Sequence, residues 1–268
     1  MEHRGVDAYG FFEREGSLGQ VQAEFRGVVA AARERIAEAY GQRLHSAYLY
    51  GSVPRGTARP GRSDLDLLLV LHHEPSQDDR DTTEVLARGL DEDFAEIDGV
   101  GVLLHGKARM LSEAERFDLG WFLACLSTPL LGADLAEHLP RYRPDSLLAR
   151  ETNGGLAGLL PDWRARVRAA ASPEERRKLS RGFARHLVRT GFTLVMPRWG
   201  GWTSDLTESA EVFGLYYPER AAQMRAAAAV ALDPVADPAV LRTYVEDLGP
   251  WLADEYTARH GTKSPRPT

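Results

Sequence analysis

The chain has 268 residues, 43% of them hydrophobic and 27% charged, with a net charge of −6. That balance belongs to a soluble globular protein and excludes a disordered or fibrous one, and no stretch approaches the roughly 20 apolar residues that a bilayer-spanning helix requires. One cysteine, Cys125, lies among apolar residues in WFLACLS, so no internal disulfide is available; with no long apolar core at the N-terminus, a reducing cytoplasm and no membrane partner are expected.

From the N-terminus, Val21, Phe25, Val28, Ala32, Ile36 and Tyr40 recur with a helical period over residues 18–40. A short strand is predicted near Ser46–Tyr50 and a second at Leu65–Leu71, whose near-continuous Leu and Val imply burial on both faces. Thr82–Phe94 reads as a helix and Glu96–Leu104 as a third strand. From Ser112 the pattern is helical almost to the end. Strands confined to the first 105 residues and followed only by helices predict an α+β chain. The expected division is a mixed-sheet domain flanked by helices over 1–143, an all-helical domain over 144–260, and a disordered tail over 261–268. Pro140 and Pro144 bracket the hinge.

Charge is distributed unevenly along that division. Asp78–Asp98 holds nine acids against two arginines, whereas Arg141–Arg189 holds 12 basic residues against five acidic ones. An acidic part beside a basic one suits a polyphosphate with metal between them, although most such charges simply solvate helix faces.

The stretch YLYGSVPRGTARPGRSDLDLLLVL, residues 48–71, is where chemistry concentrates. Gly51 and Ser52 follow the first strand directly, so the backbone can approach a ligand while the Ser hydroxyl and nearby N–H groups hold phosphate oxygens. Pro54 fits the first turn of a short helix, Arg55 can bridge to phosphate, and Gly56 lets the turn pack tightly. Asp64 and Asp66 lie two apart on a strand, so both carboxylates leave one face, roughly 6.6 Å apart at the backbone. Oxygen-only ligation suits Mg²⁺, and two such ions about 3.5–4 Å apart could activate an attacking hydroxyl and neutralise a leaving pyrophosphate.

In order, Gly51, Ser52, Arg55, Gly56, Ser63, Asp64 and Asp66 resemble the signature of the DNA polymerase beta-like nucleotidyltransferase superfamily. The resemblance implies a polymerase-beta-like fold, Mg²⁺, and ATP or another NTP as donor. Ser52, Arg55 and Ser63 would hold the nucleotide. It also implies a third carboxylate on a neighbouring strand, as metal ligand or general base. The candidates are Asp98, followed by a hydrophobic run in IDGVGVLL, and Glu96, followed by a branched residue. Asp98 is preferred, completing a metal and catalytic set with Asp64 and Asp66.

The helical half is similar to the C-terminal domain of streptomycin/spectinomycin adenylyltransferases, through LLGADLAEHLP and LVRTGFTLV. It lacks the lysine those relatives use on the nucleotide phosphates, offering Thr203 and Ser204 instead, and reads ERRKLSRGFARHLVR where they carry drug-binding acids. Arg177, Arg181, Arg185 and Arg189 share a helix face, and Arg185 and Arg189 are the candidates for clamping the triphosphate. Trp199 and Trp202 could stack on an acceptor ring or pack between helices. The reading is therefore a Mg²⁺-dependent nucleotidyltransferase acting on a hydroxylated small molecule of antibiotic type. The rivals are a tRNA or protein acceptor and a catalytically inactive nucleotide-binding module.

Overall fold

Four strands form one sheet in the computed structural model, which describes residues 4–266. They are β1 (Leu44–Tyr50), β2 (Leu65–Leu71), β3 (Val100–Gly106) and β4 (Ser127–Gly132), in the spatial order β3-β2-β1-β4. β2 pairs antiparallel with β1 and parallel with β3, while β1 pairs antiparallel with β4. The sheet is thus mixed, as the α+β pattern predicts.

Two strand assignments change. β4 returns to the sheet after a helical stretch, so the chain past Ser112 is not purely helical. Its Pro129 has no N–H for a ladder, a composition tolerated at the edge position that β4 occupies. β3 begins at Val100 rather than Glu96, because residues 94–99 form a turn in which Ile97 N donates to Phe94 O and Gly99 takes φ +142°.

Helices α1 (Arg26–Tyr40) and α2 (Gln77–Asp93) cover one face of the sheet. Val28, Ile36, Leu86 and Leu90 pack there on Leu49, Leu65, Leu67 and Leu69. Ser76 and Asp79 close a capping box at the start of α2. On the other face Tyr48, Leu68 and Val70 meet Met110 of the one-turn α3 (Lys107–Met110), Leu123 and Leu135. Burial on both faces explains the unbroken Leu/Val run of β2.

The chain divides into two compact units, residues 13–142, and residues 143–266 together with residues 4–12. The second unit is helical: α4 (Ser146–Asn153), α5 (Leu156–Ala169), α6 (Pro173–Trp199), α7 (Leu206–Tyr216), α8 (Ala221–Leu232), α9 (Pro238–Thr243) and α10 (Gly249–His260). The 27-residue α6 is its spine, started by a Ser172–Glu175 capping box with Pro173 and stopped by Gly200 at φ +76°. The N-terminal residues join this unit through Trp202 N–H to Arg4 O (2.8 Å) and the Arg143 guanidinium over Phe11 (3.9 Å).

The C-terminal segment is a correction in its described part. Residues 261–266 carry no regular secondary structure, yet they are held in place: Lys263 N donates to Gly154 O, and Ser264 Oγ and Arg266 Nη1 donate to the buried Glu151 carboxylate (2.8 and 3.1 Å). A buried carboxylate needs such donors, and the tail supplies them. Residues 267 and 268 lie outside the described residues. Among the described residues no helix is long and apolar enough to cross a membrane.

Candidate nucleotide and metal site

β2 places the acids. Its alternation sends Leu65 and Leu67 into the core under α1 and α2, and sends Asp66, Leu68 and Val70 to the other face. Leu68 and Val70 are buried there, while Asp64 and Asp66, at the N-terminal mouth of the strand, are only partly covered. Asp66 thus leaves the face opposite α1 and α2 at the end where the core stops, and Asp64 immediately precedes the strand.

Glycines stand close to both acids. Asp66 pairs with Tyr50 on β1 and with Gly101 on β3. A Cβ built on Gly101 would lie 3.0 Å from Asp66 Oδ1, and one on Gly99 3.7 Å from Asp64 Oδ1. Gly51, just beyond β1, adopts φ +78°, and a Cβ there would collide with Asp66 Oδ2. Only glycine satisfies both the left-handed backbone and the close approach at residue 51. Two partly covered carboxylates at one strand mouth, with Gly51, Gly99 and Gly101 close by, are the oxygen donors that suit a small divalent cation.

The two candidates for a third acid precede β3. Asp98 is exposed and Glu96 half-buried, both in the turn before β3; Asp98 N donates to Ser63 O and Gly61 N donates to Glu96 O. Among the described residues, no three His, Cys, Asp or Glu side chains converge as a metal-ligating group. Asp98 and Glu96 thus lie in the turn that leads into β3 and not on the strand itself.

Residues 51–57 turn back without forming the expected short helix. Gly56 N donates to Val53 O and Thr57 N to Ser52 O, both at 3.1 Å. Any anion held here meets the N–H groups and hydroxyl of a turn rather than a helix N-terminus. Residues 13–17 strap this turn: Ser17 N donates to Pro54 O (2.9 Å), Glu15 N to Cys125 O (2.7 Å), and Arg55 Nη1 lies 3.4 Å from Glu15 Oε2. Arg14 anchors the strap by donating to Ala124 O and by an ion pair with Asp134 at 2.7 Å. Ser63 Oγ accepts from Arg59 N (2.9 Å), closing the 59–63 loop. Cys125 is buried, which pushes its thiol up to about 12 and leaves it an inert apolar neighbour.

In the helical unit, Arg185 is half-buried and Arg189 exposed on α6. Arg176 serves the fold, donating to Ala236, Ala170 and Ala171 carbonyls. His186 lies edge-on to Trp163, and burial, aided by Arg189 and Lys263, lowers its pKa to about 4. Both tryptophans pack within the unit: Trp199 on Phe192 and Arg4, Trp202 on Phe12 and Phe192, with its indole N–H donated to Ser204. Two concavities of about 580 and 660 Å³ lie along α1, and none of the candidate residues lines either.

Sequence reasoning missed Glu15, Tyr50 and the glycines of β3. Tyr50 follows from the register of β1, but nothing local to EGSLG signals that Glu15 meets Arg55.

Residues 30–116 match the family model of the nucleotidyltransferase domain. The fold is that of the crystal structure of spectinomycin adenyltransferase AAD(9) from Enterococcus faecialis with ATP and spectinomycin. The likeness covers 85% of this chain and 98% of that one, with a TM-score of 0.51 and 14% identity. No curated protein matches the chain significantly in sequence.

Proposed function

We propose, from the match of residues 30–116 to the nucleotidyltransferase domain, a Mg²⁺-dependent transfer of a nucleoside monophosphate from an NTP, ATP in first place, to a hydroxyl of a small, aminoglycoside-like acceptor. The observation that carries this reading is the Asp64/Asp66 pair at the mouth of the central strand, with Asp66 close to Gly51 of the turn that follows β1. The nucleotide and drug named with the AAD(9) structure favour ATP and a small-molecule acceptor over a macromolecule. In the balanced reaction the acceptor oxygen bonds to the α-phosphorus, the bond to the bridging oxygen breaks, and pyrophosphate and a proton leave.

Asp64 and Asp66 would hold the metal, which when bound neutralises phosphate charge and favours the leaving pyrophosphate. Gly51 lets the backbone approach the phosphates, and Ser52 donates its hydroxyl to them. Arg55, aimed by Glu15, takes a phosphate oxygen. Ser63 sets the entry to β2 by closing its loop with Arg59. Catalysis on such a site comes from positioning and from fixed charge.

The test is transfer of label from α-³²P-ATP to an aminoglycoside panel, with tRNA and total cell protein as parallel arms. Label on an aminoglycoside hydroxyl supports the reading. Label only on tRNA or protein replaces the acceptor, and no label in any arm, with every NTP tried, removes the transfer itself.

A further inference from the structure

We propose that Gly101 is a positioning residue, whose missing side chain leaves the Asp66 carboxylate in the orientation it takes as a metal ligand. The inference rests on the metal-dependent reading above and adds to it the residue that fixes one of the ligands.

Three glycines stand close to the acids, and the backbone alone accounts for two of them. Gly51 and Gly99 adopt φ +78° and +142°, where an L side chain is strained whatever the space around it. Gly101 is not among the positive-φ glycines; it lies inside β3, in parallel register with Asp66. Its backbone accepts any residue, and a strand interior favours a β-branched or aromatic one over glycine. Val100 and Val102 on either side follow that preference. The reason for glycine at 101 is therefore space.

What borders that space is one atom. Chain neighbours aside, among the described residues a Cβ on Gly101 would meet a single heavy atom within 4 Å, Asp66 Oδ1 at 3.0 Å. That is closer than the 3.4–4 Å of ordinary contact, so the carboxylate would have to give way. It cannot slide towards β1, because its other oxygen, Oδ2, already lies where a Cβ on Gly51 would collide with it. The carboxylate spans the gap between Gly51 and Gly101, and a methyl at 101 leaves it only rotation about its own torsions. A site that needs its ligands within roughly 0.5 Å of their places loses affinity when one is turned.

The experiment compares Gly101→Ala with Asp66→Asn in the full chain. In a Mn²⁺ titration followed by electron paramagnetic resonance, Gly101→Ala should weaken binding about tenfold, the scale for a residue that acts through a metal ligand, and Asp66→Asn at least as much. Wild-type affinity in Gly101→Ala, with Asp66→Asn weakened, overturns the inference and leaves the metal-dependent reading intact. Wild-type affinity in Asp66→Asn removes both. A metal-free urea-unfolding cycle separates crowding from general damage to the strand. Alanine suits a strand better than glycine, so Gly101→Ala should be more stabilising in an Asp66→Ala protein, where the oxygen is gone, than in the wild type. Equal effects in the two backgrounds also overturn the proposal, since the methyl would then not press on the carboxylate.

Discussion

Asp66 in the sheet unit and Glu151 in the helical unit are two carboxylates that the fold handles in opposite ways. Glu151 is buried and surrounded by donors: Arg150 Nε at 2.9 Å, Ser264 Oγ at 2.8 Å and Arg266 Nη1 at 3.1 Å. Desolvation pushes its pKa up, but the hydrogen bonds from Ser264, Arg150 and Arg266 outweigh it and hold the carboxyl below the usual range. Asp66 sits at a strand mouth between Tyr50 of β1 and Gly101 of β3, with Gly51 close by. In the helical unit a polar group is placed where the chain itself satisfies it. At the mouth of β2 the carboxylate is only partly covered, and Gly51 and Gly101 keep space beside it.

Asp66→Asn breaks that contrast most sharply. It keeps size and removes the charge, so transfer should fall on the order of 10²–10³-fold while the thermal midpoint changes little. Turnover near the wild-type rate in a steady-state assay would end the metal role of the pair. Glu151→Gln should do the reverse. It leaves donors without their anion in a buried place, lowering stability by about 2–3 kcal/mol in urea unfolding, with Mn²⁺ affinity unchanged.

His186 sharpens the comparison through pH. Its folded pKa is near 4, whereas the unfolded chain's histidine titrates near its ordinary 6.5. The unfolded state therefore binds the proton first. Stability from this group is complete above about pH 6.5, declines as pH falls towards 4, and changes no further below that. The expected loss is on the order of 2 kcal/mol, discounted for partial exposure. His186→Gln should flatten this part of the stability curve, and parallel curves for the two proteins would remove the assignment.

What the sequence displayed follows the same line. β2 was legible because a doubly buried strand writes an unbroken apolar run, and its acids stood out against it. The helical period of α1 was equally plain at Val28, Ala32, Ile36 and Tyr40. β4 was hidden by Pro129 and by the apolar run before it, since edge position is a property of the sheet and not of STPLLG. The start of β3 misled because FAEIDGVG alternates like a strand, while the backbone turns until Gly99 before β3 begins. The tail looked like a solvated segment because Glu151, the group that needs it, lies more than 100 residues away in the chain.

The smallest expected effect belongs to Glu15, a contact between segments that only tertiary structure brings together. Its carboxylate lies 3.4 Å from the Arg55 guanidinium, and both side chains are about a quarter exposed (24% and 27%). A pair this open contributes at most about 1 kcal/mol to stability. Its larger use is orientation, because Arg55 sits on a turn that residues 13–17 strap through Ser17 N to Pro54 O. Glu15→Gln should raise the nucleotide KM by a few fold, on the scale of one exposed charge pair, and leave kcat near wild type. A combined Glu15→Gln/Arg55→Lys protein should lose little beyond Arg55→Lys alone, since one residue acts through the other. Losses that simply add would show that Glu15 does not aim Arg55.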